Sequence, residues 1–178
     1  ISHHFNKIIQ VNTAEQWVLV QPGVIRDDLN AYVKPFGLMF GPETSTASRA
    51  MIGGMVGNNS CGLHSIVWGA VRDHIIEANV ILSDGSTAVI KVQPGKVSDE
   101  ENNPLLQKIQ QQVFELLYDD NNQSVIKNNF PKRSVVRRNT GYALDNLLQQ
   151  QPFDTNGEAF NLCKLLAGSE GTLAFVTA

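Results

Sequence analysis

The sequence predicts an α+β domain with a mainly antiparallel sheet flanked by helices. Residues 76–92 alternate apolar side chains on either side of Asp84-Gly85, the pattern of a half-buried β-hairpin. From Pro104 the period changes, and Leu105, Ile109, Val113, Leu116 and Leu117 recur along one helical face. Strands and helices do not alternate regularly, as a doubly wound parallel sheet would require.

The remaining elements follow in chain order. Residues 16–21 (QWVLVQ) are a β-branched and aromatic run closed by Pro22-Gly23, read as a strand, and 6–11 (NKIIQV) supply its partner. Residues 25–36 set Leu29, Tyr32, Val33 and Phe36 on one helical face. Asp27 and Asp28 sit near its N-terminus, where the dipole favours acids, and Pro35 and Gly37 end it. The Asn-rich stretch 119–129 reads as a loop or a frayed helix end. Residues 160–167 and 172–177 are apolar runs, read as strands separated by Gly168-Ser169-Glu170-Gly171. No internal repeat is visible.

Composition narrows the function classes. A chain of 178 residues with 42% hydrophobic and 17% charged residues is an ordinary globular sequence able to bury a core. A net charge of −3 argues against a nucleic-acid partner. No apolar run approaches the roughly 18 residues of a membrane span. Cys61 and Cys163 lie far apart in no CxxC pattern, against a disulfide or metal framework and for a reducing cytoplasm. A cytoplasmic or membrane-peripheral location is expected. The chain opens at Ile1 without an initiator Met and stops directly after an apolar run, so a piece of a longer polypeptide is expected.

Between 41 and 73 the pattern breaks down. This stretch holds Gly41, Gly53, Gly54, Gly57, Gly62 and Gly69 with Ser, Thr and Asn among them, and shows no clean period of two or 3.6. It is expected to form neither ordinary helix nor strand. Glycine permits close backbone approach and positive φ. Composition supports two readings equally, a glycine-rich surface loop or a wall against a phosphate-bearing cofactor. There is no GxxxxGK[ST], and Gly53-Gly54-Met55-Val56-Gly57 is not GxGxxG, so neither a P-loop nor a Rossmann site is indicated.

Ile52-Gly53-Gly54 followed by Asn59 and Gly62, then Trp68-Gly69-Ala70-Val71-Arg72-Asp73, then Gly168-Ser169-Glu170-Gly171-Thr172-Leu173 resemble one family in its own order. It is the FAD-binding domain of the vanillyl-alcohol-oxidase or PCMH type. Val20-Gln21-Pro22-Gly23 and Asn139-Thr140-Gly141-Tyr142 extend the likeness, which runs from about Asn6 to the last residue. The wording is closest to the long bacterial D-2-hydroxyglutarate and D-lactate dehydrogenase-like flavin and iron–sulphur proteins.

The resemblance implies a set of cofactor residues. Pro42, Thr44, Ser48, Ile52, Gly53, Gly54, Asn59 and Gly62 would lie along the flavin, its ribityl chain and the pyrophosphate. Gly53 and Gly54 would admit the backbone, and Thr44, Ser48 and Asn59 would donate hydrogen bonds. Gly69 and Asp73 match the next contact region, and Phe175 and Val176 would present backbone groups to the cofactor. Glu170 is either a turn carboxylate capping nearby N–H groups or a direct flavin contact.

Arg137 and Arg138 precede the NTGY stretch. An arginine fork suits a carboxylate, so both are candidates for a substrate role, Arg138 with Tyr142 foremost, while Lys132 and Arg133 read as a solvated face. His3, His4, His64 and His74 show no metal spacing; His64 reads as a polar loop residue and His74 as structural. No catalytic residue is assigned.

The expected whole protein is an FAD-dependent oxidoreductase that oxidises a D-2-hydroxy acid (lactate, 2-hydroxyglutarate or glycolate) by hydride transfer to flavin and passes electrons to an acceptor. An iron–sulphur cluster would lie outside this chain. A flavin-dependent alcohol or sugar oxidase of the same fold and a flavin-free interaction module are the alternatives. Residues 1–178 are expected to be a partial FAD-binding domain, with the first pyrophosphate loop upstream and the substrate cap downstream. This piece alone is expected to hold little FAD.

Overall fold

The computed structural model describes residues 3–93, 103–132, 134–135, 137–138 and 141–178. Strands β1 (Ile8–Asn12) and β2 (Trp17–Val20) form an antiparallel pair with Val11 opposite Val18 and a register irregularity between Ile8 and Gln10. Their turn is tied by side chains. The Asn12 carboxamide oxygen accepts the N–H groups of Ala14 and Glu15, and Glu15 accepts the Trp17 indole N–H at 2.7 Å. Helix α1 (Arg26–Val33) follows, then a 3₁₀ turn over Lys34–Phe36, with Gly37 in the left-handed conformation.

The glycine-rich segment holds three short helices: α2 (Ile52–Asn58), α3 (Ser65–Trp68) and α4 (Val71–His74). The expectation of neither helix nor strand is therefore corrected. Ile52, Met55 and Val56 are buried at the i, i+3, i+4 spacing of a helical stripe. Glycine between them hid the stripe without abolishing it.

The predicted hairpin forms from β3 (Ala78–Ile81) and β4 (Thr87–Ile90), with Ala78 opposite Ile90 and Ile81 opposite Thr87. In its turn the Asp84 carboxylate accepts from the Ser86 hydroxyl and N–H, which holds this carboxyl below its usual value. Helix α5 (Pro104–Tyr118) begins at Asn103, whose side chain accepts the Leu106 N–H, with Pro104 in the first turn. Its inward face carries Leu106, Gln110, Phe114 and Leu117, so the predicted stripe is corrected: Leu105, Ile109 and Val113 are half-buried at its flank and Leu116 is exposed.

The Asn-rich stretch resolves as helix α6 (Asp120–Asn129). Asp119 caps it by accepting the Asn122 N–H at 2.8 Å, and one buried residue, Ile126, anchors it to the core. A polar composition is compatible with helix where only one face is buried.

After α7 (Leu144–Leu147), residues 160–167 are not the predicted strand. They form α8 (Cys163–Leu166), entered through a turn in which Asn161 accepts the Cys163 N–H. Phe160, Leu162, Cys163, Leu166 and Ala167 are all buried, and a short run with only Lys164 and Leu165 partly exposed does not reveal its period. Of the second predicted strand, only β5 (Phe175–Val176) forms, antiparallel to β3 in the order β4-β3-β5.

Every strand pairing among the described residues is antiparallel, as the α+β reading expected. Two apolar clusters result. One joins β1, β2, α1, α2 and α4 around Leu29, Val33, Met55 and Val71; the other joins the β3–β4 hairpin, α5, α6, α7 and α8 around Leu106, Leu117, Leu147 and Phe160. Ile75 packs against both.

Candidate cofactor-binding site

The seam between the two clusters is closed by hydrogen bonds from three distant stretches. The Gly168 N–H donates to Val56 O and the Glu170 N–H to Gly57 O, each at 2.9 Å, so the GSEGT turn caps the end of α2. Arg72 completes the junction. It is only 3% exposed, and its guanidinium donates to the carbonyls of Lys164, Ala167 and Gly141.

Lys164 and Ala167 lie in and directly after α8, where carbonyls lack helical partners and a cation is favoured. Burial pushes the Arg72 guanidinium below its ordinary value, while the Asp145 and Asp73 carboxylates oppose that and Arg138 adds to it. Asn59, in the left-handed conformation at φ 51°, accepts the Arg72 N–H, and Lys164 Nζ donates to the Arg72 carbonyl.

The open side of this seam is poor in side chains. Gly54, Gly57 and Asn58 share a face of α2 by their i, i+3, i+4 spacing. A Cβ on Gly54 or Gly171 would meet nothing within 4 Å, and one on Gly57 would lie 3.7 Å from Glu170 Cα. Beyond Asn58, a niche of about 390 Å³ is lined by Thr44, Asn58, Ser60, Cys61, Arg137 and Arg138. A bare backbone face beside a hydrogen-bonding niche can take a flat ring system and its polar tail.

The sequence candidates separate on this frame. Gly54, Thr44, Glu170 and Tyr142 border the face or niche. The Tyr142 hydroxyl pairs with Thr172 Oγ1 at 2.6 Å beside the GSEGT turn, and the Glu170 carboxylate is exposed. Ser48 is exposed as well.

Others have structural work. Gly53 packs on Pro22, whose Cβ would lie 2.5 Å from a Gly53 Cβ; Gly62 packs on Glu43, with 2.2 Å to its Cβ. Pro42 is buried with its carbonyl accepting from Arg26, Ile52 lies in the core, and Asn59 is turned to Arg72. Asp73 accepts the Ala70 N–H to open α4, and Gly69 faces that carboxylate at φ 67°. Phe175 and Val176 pair with Ile81 and Val80, so one backbone edge is committed to the sheet.

Arg138 is committed also. Its guanidinium pairs with Asp145 and donates to Asn146 Oδ1 at 2.7 Å and Pro131 O at 3.1 Å. His64 hydrogen-bonds Glu43 at 2.8 Å, which holds that carboxyl below its usual value, and His74 bonds the Trp68 carbonyl, a structural role as expected. Arg133, Asn139 and Thr140 lie outside the described residues.

Sequence reasoning gave no role to Arg72, Asn58 or Ser60. Arg72 stood inside the quoted WGAVRD run, and a lone arginine among apolar neighbours was the available signal.

Seam, glycine face and polar niche have room for a flat, polar-tailed group. A family model, the FAD binding domain, matches residues 1–91, and this chain belongs to that family. FAD is therefore its cofactor.

The chain is 38% identical over 181 residues to D-2-hydroxyglutarate dehydrogenase of Escherichia coli K12 and 37% identical to that of Pantoea ananatis, covering 99% of this chain in each. It spans 17% of the length of both relatives. Among solved structures, an alkyldihydroxyacetonephosphate synthase aligns with a TM-score of 0.52 over 97% of this chain and 19% of its own, at 16% identity, a likeness of fold. No helix among the described residues is long and apolar enough to cross a membrane.

Proposed function

We propose that the protein carrying this chain is an FAD-dependent dehydrogenase of a D-2-hydroxy acid, in which residues 1–178 are part of the FAD-binding domain. The observation that carries this reading is the 38% identity, across nearly the whole chain, to a D-2-hydroxyglutarate dehydrogenase. D-2-hydroxyglutarate is accordingly the first substrate to test, with D-lactate and glycolate after it.

Bound FAD supplies the acceptor for the hydride that leaves the substrate's hydroxyl-bearing carbon. This chain's residues hold and shield it. Gly54 and Gly171 would give it an open backbone surface, with Gly57 packed under the GSEGT turn, and Thr44, Asn58 and Ser60 would offer polar groups at the niche. Glu170 and Tyr142 stand at the edge formed by the GSEGT turn. Arg72 and Asn59 act through these residues by keeping α2, the turn and Gly141 together. The committed edges of Phe175 and Val176 fix where the sheet meets the turn.

The test is the visible spectrum of the purified whole protein under anaerobic conditions. Flavin absorbance that bleaches on addition of D-2-hydroxyglutarate, and not its L-enantiomer, is expected. A flavoprotein that no 2-hydroxy acid bleaches would overturn the substrate assignment, and a colourless whole protein would overturn the cofactor assignment.

A further inference from the structure

The niche at the end of the glycine face holds two arginines and no carboxylate among its lining residues. They are not equivalent. Arg138 is neutralised by Asp145 and held by Asn146 and the Pro131 carbonyl. Arg137 is exposed and makes no hydrogen bond or ion pair with any described residue. Among the described residues Arg137 is therefore the unpaired guanidinium of a niche that Thr44, Asn58 and Ser60 also line. That is a donor set for an oxyanion, since a guanidinium presents a planar fork to two oxygens and hydroxyl and amide groups complete the shell.

Position narrows the ligand. Asn58 belongs both to the niche and to the α2 face that carries Gly54 and Gly57. An anion held by Arg137 would lie where the flat face ends.

We propose that Arg137 binds the substrate's carboxylate, and that Arg138, locked by Asp145, is the positioning residue that holds the backbone presenting it. The inference rests on the 2-hydroxy-acid reading above and adds the residue that recognises the acid. Of the two arginines that the sequence offered for a carboxylate it selects Arg137, because Arg138 already has its carboxylate. The shared chemistry is an oxyanion, and the cofactor's pyrophosphate is the competing source.

The experiment uses the flavin-loaded whole protein and three variants, Arg137→Met, Arg137→Lys and Arg138→Met. Each is assayed for FAD content, for kcat and KM with D-2-hydroxyglutarate, and for perturbation of the flavin spectrum by oxalate, an unreactive dicarboxylate. Arg137→Met should keep its FAD and its kcat while KM and the oxalate Kd rise roughly 10- to 100-fold, the loss of a charge-assisted hydrogen bond. Arg137→Lys should recover part of that loss. Arg138→Met should lower thermal stability as well, because Asp145 is left buried without its partner.

Unchanged KM and oxalate binding in Arg137→Met would overturn the proposal. Loss of FAD from a folded Arg137→Met would overturn it differently, giving the niche to the cofactor's phosphates. A wild-type flavin that binds oxalate with a dependence on Arg137, yet is bleached by no 2-hydroxy acid, would remove the substrate reading and leave an anion site.

Discussion

The carboxamide oxygen of Asn59 accepts the backbone N–H of Arg72 at 2.9 Å, between two residues that are respectively 1% and 3% exposed. Through it the end of α2 fixes the start of the side chain that reaches α8 and Gly141. Asn59→Ala should cost about 2–4 kcal/mol, from a buried N–H left unpaired and from a left-handed backbone that alanine tolerates poorly.

Arg72→Met should cost at least about 3 kcal/mol, because three carbonyls lose their donor together. Arg72→Lys should recover only part, since an ammonium lacks the fork that serves several acceptors. Chemical denaturation of the three variants checks this. An Arg72→Met protein as stable as wild type would show that the seam is held elsewhere.

The legibility of this chain in its sequence divides along physical lines. The β3–β4 hairpin and α5 were readable because each buries one face, and a one-sided pattern announces its period. Helix α8 was not, because Phe160, Cys163 and Ala167 are all fully buried and only Lys164 and Leu165 are partly exposed, too few to mark a period. Helix α2 was masked by its glycines, although Ile52, Met55 and Val56 kept helical spacing. At the site, the glycine motifs led to the correct family. They did not divide Gly53, which meets Pro22, from Gly54, which meets open space. Which neighbour a glycine admits depends on chain remote in sequence.

That division gives a paired prediction. Gly53→Ala drives a Cβ to 2.5 Å from Pro22 Cβ and should destabilise by about 1–3 kcal/mol, offset in part by alanine's better helix propensity. Gly54→Ala points into open space and should leave apoprotein stability unchanged or up to about 1 kcal/mol higher. If the α2 face receives the flavin, Gly54→Ala should nonetheless weaken FAD binding, and Gly54→Leu should abolish it. Thermal unfolding of the apoprotein beside FAD titration separates the two. A Gly54→Leu protein that retains stoichiometric FAD would rule out this face.

Gly168 and Gly171 should differ in the same way. Gly168 sits at φ 94°, and a Cβ there would lie 2.7 Å from Arg72 Nη2 and 3.0 Å from Gly141 O. Gly168→Ala should cost about 3 kcal/mol or more, since backbone strain adds to displacement of the buried guanidinium. Gly171 has φ 75° with nothing within 4 Å, so alanine pays the strain alone, about 1–2 kcal/mol. Equal losses for the two would mean that backbone conformation, not the Arg72 junction, sets the requirement at Gly168.

The two cysteines occupy opposite environments, and thiol labelling reads them separately. Cys163 is 0% exposed with its Sγ donating to Ile90 O at 3.4 Å, and burial pushes its thiol up to about 12. At pH 8 its thiolate fraction would be roughly 10⁻⁴, so native Cys163 should resist iodoacetamide and react only after unfolding. Cys61 is half-buried at the niche beside Ser60 and Arg137 and should be alkylated in the native protein. If Arg137 holds an anion there, oxalate should slow labelling at Cys61 in wild type and not in Arg137→Met, while Cys163 stays protected in both. Peptide mass mapping of the alkylated protein gives the two rates. Native labelling at Cys163 would contradict its place in the core, and Cys61 rates insensitive to oxalate would place the anion away from this niche.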